Sequence, residues 1–123
     1  MTSPQAQSAA ADAVGRHEPV LLQRCLDLLA PAIEGAARST AARPVMIDCT
    51  LGLGGHTEAA LECFPTLKVV GIDRDPEAIA LASARLERFG DRFTAVRDTY
   101  DAVNRVACEH SANSDGTVDA VLM

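Results

Sequence analysis

The residues best suited to chemistry fall in one stretch, Val45-Met46-Ile47-Asp48-Cys49-Thr50-Leu51-Gly52-Leu53-Gly54-Gly55-His56. A short apolar run breaks into a loop with glycine at 52, 54 and 55, and a helical pattern follows from Thr57 to Phe64. Glycines permit positive φ and keep Cβ atoms out of a ligand's way. The helix start offers N–H groups without intrahelical partners to polar or anionic parts of that ligand. Strand, glycine turn and helix start together make a cradle for a nucleotide-type cofactor. A second apolar run, Lys68-Val69-Val70-Gly71-Ile72-Asp73, ends in an acid. A carboxylate there can accept hydrogen bonds from both hydroxyls of an adenosine ribose. The competing reading of Asp73 is a solvated strand-end acid or a helix cap, but Asp75, just before Pro76, already fills the cap role.

Two cofactors compete for this layout. Gly52 and Gly54 fit the first two glycines of a G-x-G-x-x-G dinucleotide fingerprint, but the sixth position is Thr57. The third glycine lets the helix pack closely on the strand, so its absence counts against NAD. Asp48 would face a pyrophosphate unfavourably and would suit the methionyl ammonium of S-adenosylmethionine. Its alternative role is an Asx turn. His56 either lies over the cofactor or lends its backbone N–H at the helix start, and the second reading is preferred. Tyr100 follows the third strand, where an aromatic either flanks an adenine or packs at a helix start.

The elements that position these groups follow an α/β rhythm. An opening helix runs from the His17-Glu18-Pro19 block to about Ala30, where Pro31 closes it, and 32–43 reads as a linker. Strands are expected at about 45–49, 68–73, 92–96 and 118–123. Helices are expected at about 56–64 (stopped by Pro65), from Asp75-Pro76-Glu77 to a C-cap at Gly90, and at 100–110, with a loop over 111–117. Strands alternating with helices imply a doubly wound parallel sheet in the order 3-2-1-4, with the ligand crevice over the carboxyl end of strand one. Residues 1–15 are small and polar and read as a disordered tail. No basic segment leads an apolar one there, which argues against a signal peptide.

The 123 residues amount to one domain or part of one, with no apolar run long enough for a membrane helix. A net charge of −6 argues against the segment being a nucleic-acid clamp by itself. Cys25, Cys49, Cys63 and Cys108 form no CxxC pair and have no metal-ligand spacing. They read as small buried hydrophobes in a reduced setting.

Three segments in order carry a family resemblance: His17-Glu18-Pro19-Val20-Leu21-Leu22, Asp48 to Thr57, and Gly71-Ile72-Asp73-Arg74-Asp75-Pro76-Glu77-Ala78-Ile79. They resemble the H-x-P-V-L-L, D-x-T-x-G-x-G-G-H and I-D-R-D-P segments of the ribosomal RNA small subunit methyltransferase H family, across about residues 16 to 123. The resemblance implies a Rossmann-like class I methyltransferase fold. It also implies a cytoplasmic enzyme that moves a methyl group from S-adenosyl-L-methionine to N4 of a cytidine in 16S rRNA of the small ribosomal subunit, without metal or membrane. Carried over, the cofactor contacts fall on Gly54, Gly55 and His56, the ribose acid on Asp73 and the adenine neighbour on Tyr100. In the family a D-L-G-V-S-S segment follows the fourth strand, and the present sequence ends at Met123, where that segment would begin. Residues 16–123 are therefore expected to be the N-terminal part of the cofactor-binding domain, truncated after the fourth strand, without a catalytic side chain and inactive alone. The alternative is half of an NAD-dependent oxidoreductase domain.

Overall fold

The computed structural model describes residues 19–39, 43–110 and 118–123. The expected tail, the His17-Glu18 opening and the expected loop over 111–117 lie outside the described residues. Strand β1 (Val45–Asp48) lies between β2 (Lys68–Asp73) and β4 (Ala120–Leu122), and β3 (Phe93–Arg97) flanks β2. All pairings are parallel and the order is β3-β2-β1-β4, as the rhythm predicts. Val45, Met46, Ile47, Val69, Val70 and Ile72 are at most 2% exposed, because helices cover both faces of the sheet. Burying each such side chain stabilises the fold by about 1.5–3 kcal/mol.

Alternate strand residues feed two cores. Met46 and Val69 pack with Leu26 and Ile33 of helix α1 (Pro19–Ser39), with Ala60 and Leu61 of α2 (Gly55–Cys63), and with Ala82 of α3 (Pro76–Arg85) and Leu86 just beyond it. Ile47, Val70 and Ile72 face Val106 of α4 (Val103–His110) on the other side. At its start, β1 is fastened to β4 by Asp119, whose carboxylate accepts the Val45 N–H at 2.8 Å while its own N–H donates to the Val45 carbonyl at 2.8 Å.

Helix α3 starts as its sequence dictates. Asp75 is the N-cap and accepts the Glu77 N–H at 2.9 Å, and Pro76 occupies the first turn, where its missing N–H is no loss. Two helix ends differ from expectation, and β4 is confined to Ala120–Leu122 of the expected 118–123. Pro31 does not close α1, which continues to Ser39. Ile33 is buried in the core one turn after Leu29 and Ala30, and that burial favours continuing the helix. Asp27 and Pro31 are both exposed, so the carbonyl that loses its donor lies on the side open to water. The second difference is at the end of α3, which stops at Arg85 and tightens into a 3₁₀ segment over Glu87–Arg92. Leu86 is drawn fully into the core there, and Gly90 sits at φ 59°, ψ −129°, a region that only glycine adopts readily and not the left-handed C-cap expected of it.

The cysteine expectation also needs correcting. Cys49 is buried and Cys25 half-buried, but Cys63 and Cys108 are exposed. Cys63 is the last residue of α2 and Cys108 lies on the outer side of α4, so an apolar sequence neighbourhood did not put either in the core.

Arg92 fastens the end of α2 to the sheet. Its Nη2 donates to the carbonyls of Leu61 at 2.7 Å and Phe64 at 2.8 Å, and its Nε to that of Leu67 at 3.0 Å. The Leu61 carbonyl lies in the last turn of α2, where carbonyls lack intrahelical donors, and the Phe64 and Leu67 carbonyls lie in the connection that follows. Burial, with the Arg43 charge nearby, lowers its pKa from that of an ordinary arginine, and the three carbonyl bonds offset this cost. Arg92→Met is expected to destabilise the fold by about 2 kcal/mol, read as a lower urea midpoint with an unchanged slope.

Candidate functional site

At the carboxyl end of β1 the chain turns sharply, and Asp48 holds the turn. Its carboxylate is 0% exposed. Oδ1 accepts the Thr50 N–H at 3.0 Å and the Thr50 hydroxyl at 3.4 Å, and Oδ2 accepts the Thr57 hydroxyl at 2.7 Å. Of its two possible roles, the structure has the Asx turn, with the charge committed inside the protein. Thr57 occupies the place of the third fingerprint glycine, and its hydroxyl satisfies Asp48.

The loop then descends onto β2. Leu51 is buried, and its N–H donates to the Ile72 carbonyl at 3.2 Å. Its side chain lies directly over Gly71, where a Cβ would stand 2.6 Å from Leu51 Cδ1. Gly71→Ala is therefore expected to displace the buried Leu51 side chain and to destabilise the fold by about 1–3 kcal/mol, measured by urea unfolding. The turn closes with Gly54 at φ 89°, where its N–H reaches the Leu51 carbonyl at 2.8 Å and its carbonyl accepts the Glu58 N–H at 2.8 Å, starting α2.

Asp73, at the end of β2, ties the parts together. Its Oδ2 accepts the Gly52 N–H at 3.0 Å and its Oδ1 the Asp75 N–H at 2.9 Å. Its carbonyl accepts the Asp98 N–H at 3.0 Å, which brings in the end of β3. Asp98 in turn accepts the Thr99 N–H at 2.8 Å and is paired with Arg105 of α4.

Above these strand ends lies a cavity of about 400 Å³, lined by Cys49, Thr50, Gly52, Asp73, Arg74, Asp98 and Thr99. Its size suits a ligand built around a nucleoside. Burial and the Asp48 carboxylate raise the pKa of Cys49, so the cavity wall presents a thiol and not a nucleophilic thiolate. Among the described residues no group of three or more His, Cys, Asp and Glu side chains is placed to hold a metal ion. No helix among them is long and apolar enough to cross a membrane.

Of the residues singled out in the sequence, Asp73 forms part of this wall. Gly54, Gly55 and His56 sit at the start of α2 and are not among the lining residues, and Gly54 is buried. Tyr100 opens the 3₁₀ turn that follows Thr99. Sequence reasoning missed Thr50, Arg74, Asp98 and Thr99. The available signal was positional: each directly follows, or lies within two residues of, the end of one of the first three strands, as Asp73 ends β2.

The family model of the MraW methylase family matches residues 15–123. The chain is similar to the ribosomal RNA small subunit methyltransferase H of Kocuria rhizophila, 54% identical over 91% of this chain and 32% of that protein. It is likewise similar to the protein of that name from Beutenbergia cavernae, 50% identical over 99% of this chain and 32% of the relative. The chain thus spans about a third of the length of the curated relatives it matches. Among solved structures the likeness is looser: the plantazolicin methyltransferase BpumL aligns with a TM-score of 0.46 at 18% identity, over 79% of this chain and 35% of that one. With the family model matching nearly all of the sequence, the parallel sheet and its glycine loop are those of a member of the MraW methylase family.

Proposed function

We propose that the cavity over β1, β2 and β3 binds S-adenosyl-L-methionine. The whole protein carrying this segment would then methylate N4 of a cytidine in 16S rRNA of the small ribosomal subunit, in the cytoplasm. The observation that carries the cofactor reading is the placement of Asp73 on the cavity wall, tied to the glycine loop through the Gly52 N–H. Each carboxylate oxygen takes one backbone N–H and keeps a further lone pair for a ribose hydroxyl. In this reading Gly55 and His56 serve the cofactor through their backbone N–H groups at the start of α2, Gly54 closes the turn that presents them, and Tyr100 flanks the adenine. The relatives' name, ribosomal RNA small subunit methyltransferase H, supports the substrate class.

The cofactor supplies an electrophilic methyl group on a sulfonium. The protein's task is then alignment: an amine nitrogen must stand about 3–3.5 Å from that carbon, in line with the bond to be broken and away from water. A cytosine reaches such a site by leaving its stack. The segment contributes the cofactor half of the crevice, and no side chain in it is assigned a catalytic role.

The NAD reading is disfavoured by Thr57, whose hydroxyl is committed to Asp48 where a dinucleotide fold needs glycine. Calorimetric titration with S-adenosylhomocysteine and with NAD tests the choice. Binding of the first alone is expected, and binding of NAD alone would overturn the proposal.

A further inference from the structure

We infer that Arg85, which lies outside the cavity, is a positioning residue of the glycine loop and sets how tightly that loop holds an adenosyl ligand. The inference rests on the cofactor reading above. The inner side of the loop is fixed by the bond from the Gly52 N–H to Asp73. Its outer side is set by the last turn of α3 and the residue after it. Leu86 Cδ1 and Ala82 Cβ lie 3.1 and 3.5 Å from where a Cβ on Gly54 would stand. Beside them, Arg85 Nη1 donates to the Leu53 carbonyl at 3.3 Å and lies 3.9 Å from where a Cβ on Gly55 would stand. The side chain of Leu53 is exposed, so packing does little to hold that residue, and its carbonyl is the point through which it can be held.

Arg85 is itself held in place. Its Nε and Nη2 donate to Glu58 Oε1 at 3.1 and 2.8 Å, while Arg88 Nη2 donates to Glu58 Oε2 at 3.1 Å and to Glu62 Oε2 at 3.0 Å. Burial pushes the pKa of Glu58 up, but the bonds and charges of Arg85 and Arg88 outweigh it and hold the carboxyl below the usual glutamate range, so the anchor stays ionised. Glu58 lies in the first turn of α2, the helix that begins at the end of the loop. One guanidinium therefore joins the loop's outer carbonyl, the first turn of α2 and the last turn of α3. Its contacts fix the loop before any ligand arrives, which reduces what ordering costs on binding.

The test compares Arg85→Met with Arg88→Met, which loses bonds to Glu58 and Glu62 but none to the loop. The affinity for S-adenosylhomocysteine is read by calorimetry well below both unfolding midpoints, and amide exchange at Gly52 and Gly54 is read without ligand. The side chains of Arg85 and Glu58 are 42% and 23% exposed, so screening keeps the expected effect moderate. Arg85→Met should bind about three- to fivefold more weakly and exchange its Gly54 amide faster. Arg88→Met, which keeps the bonds of Arg85 to Glu58 and Leu53, should lose clearly less than Arg85→Met in both, and Arg85→Lys should recover part of the lost affinity. Unchanged affinity in Arg85→Met, or an equal loss in Arg88→Met, overturns the inference and leaves the cofactor reading intact. Failure of the unmodified chain to bind S-adenosylhomocysteine sinks the cofactor reading, and the inference with it.

Discussion

Asp73→Ala is expected to weaken binding of S-adenosylhomocysteine by about ten- to a hundredfold. A hydrogen bond to a charged acceptor contributes about 1.5–3 kcal/mol, and about 1.4 kcal/mol corresponds to a factor of ten. The substitution also removes the acceptor of the Gly52 and Asp75 N–H groups, so part of the loss would come from a loosened loop. Asp73→Asn separates the two contributions. An asparagine keeps one oxygen for a backbone N–H but turns the other acceptor into a donor and removes the charge. It should therefore retain most of the thermal stability and lose most of the affinity. Calorimetry alongside thermal unfolding measures both. Full affinity in the asparagine variant would remove Asp73 from the ligand's contacts.

Thr57→Val should be the most damaging change to the fold in this region, at about 3 kcal/mol. Valine matches threonine in shape, so the change leaves no cavity and isolates the hydroxyl. What remains is a fully buried carboxylate oxygen of Asp48 that has lost its 2.7 Å donor. An unsatisfied buried charge costs more than a neutral group in the same position. For a domain of this size the loss corresponds to a midpoint lowered by roughly 10–15 °C. Pairing the change with Asp48→Asn supplies the decisive comparison. A neutral amide tolerates the missing donor better, so the double variant should be less destabilised than the two single changes added together. Strict additivity would show that the two side chains do not depend on each other.

The features legible in the sequence were those that local chemistry decides. The four strands and their order follow from apolar runs separated by helical segments, and the start of α3 from Asp75, Pro76 and Glu77 in succession. Asp73 was legible because its place at the end of a strand fixes where its carboxylate stands. The features missed depend on contacts between distant parts of the chain. Pro31 reads as a stop, but Ile33 has a place in the core that outweighs it. Gly90 reads as a cap, but Leu86 turns inward first and ends the helix early. The two readings of Asp48 could be separated only by knowing that Thr57 comes back across the loop to meet it. Arg74, Asp98 and Thr99 were within reach only through their distance from the strand ends, which does not by itself bring them to one cavity, and Arg85 reaches the loop only because the end of α3 lies against it.

The close seat of Leu51 on Gly71 also acts as a proofreader of strand alignment. Parallel pairing sets Asp48 opposite Gly71, and from that alignment the loop comes down where β2 has no side chain. A slip of one residue in either direction would put Val70 or Ile72 beneath Leu51, and a branched side chain there leaves it nowhere to sit. The same glycine that makes room for the loop thus penalises each neighbouring misalignment of the two central strands, so a chain that has seated this loop has already paired them correctly.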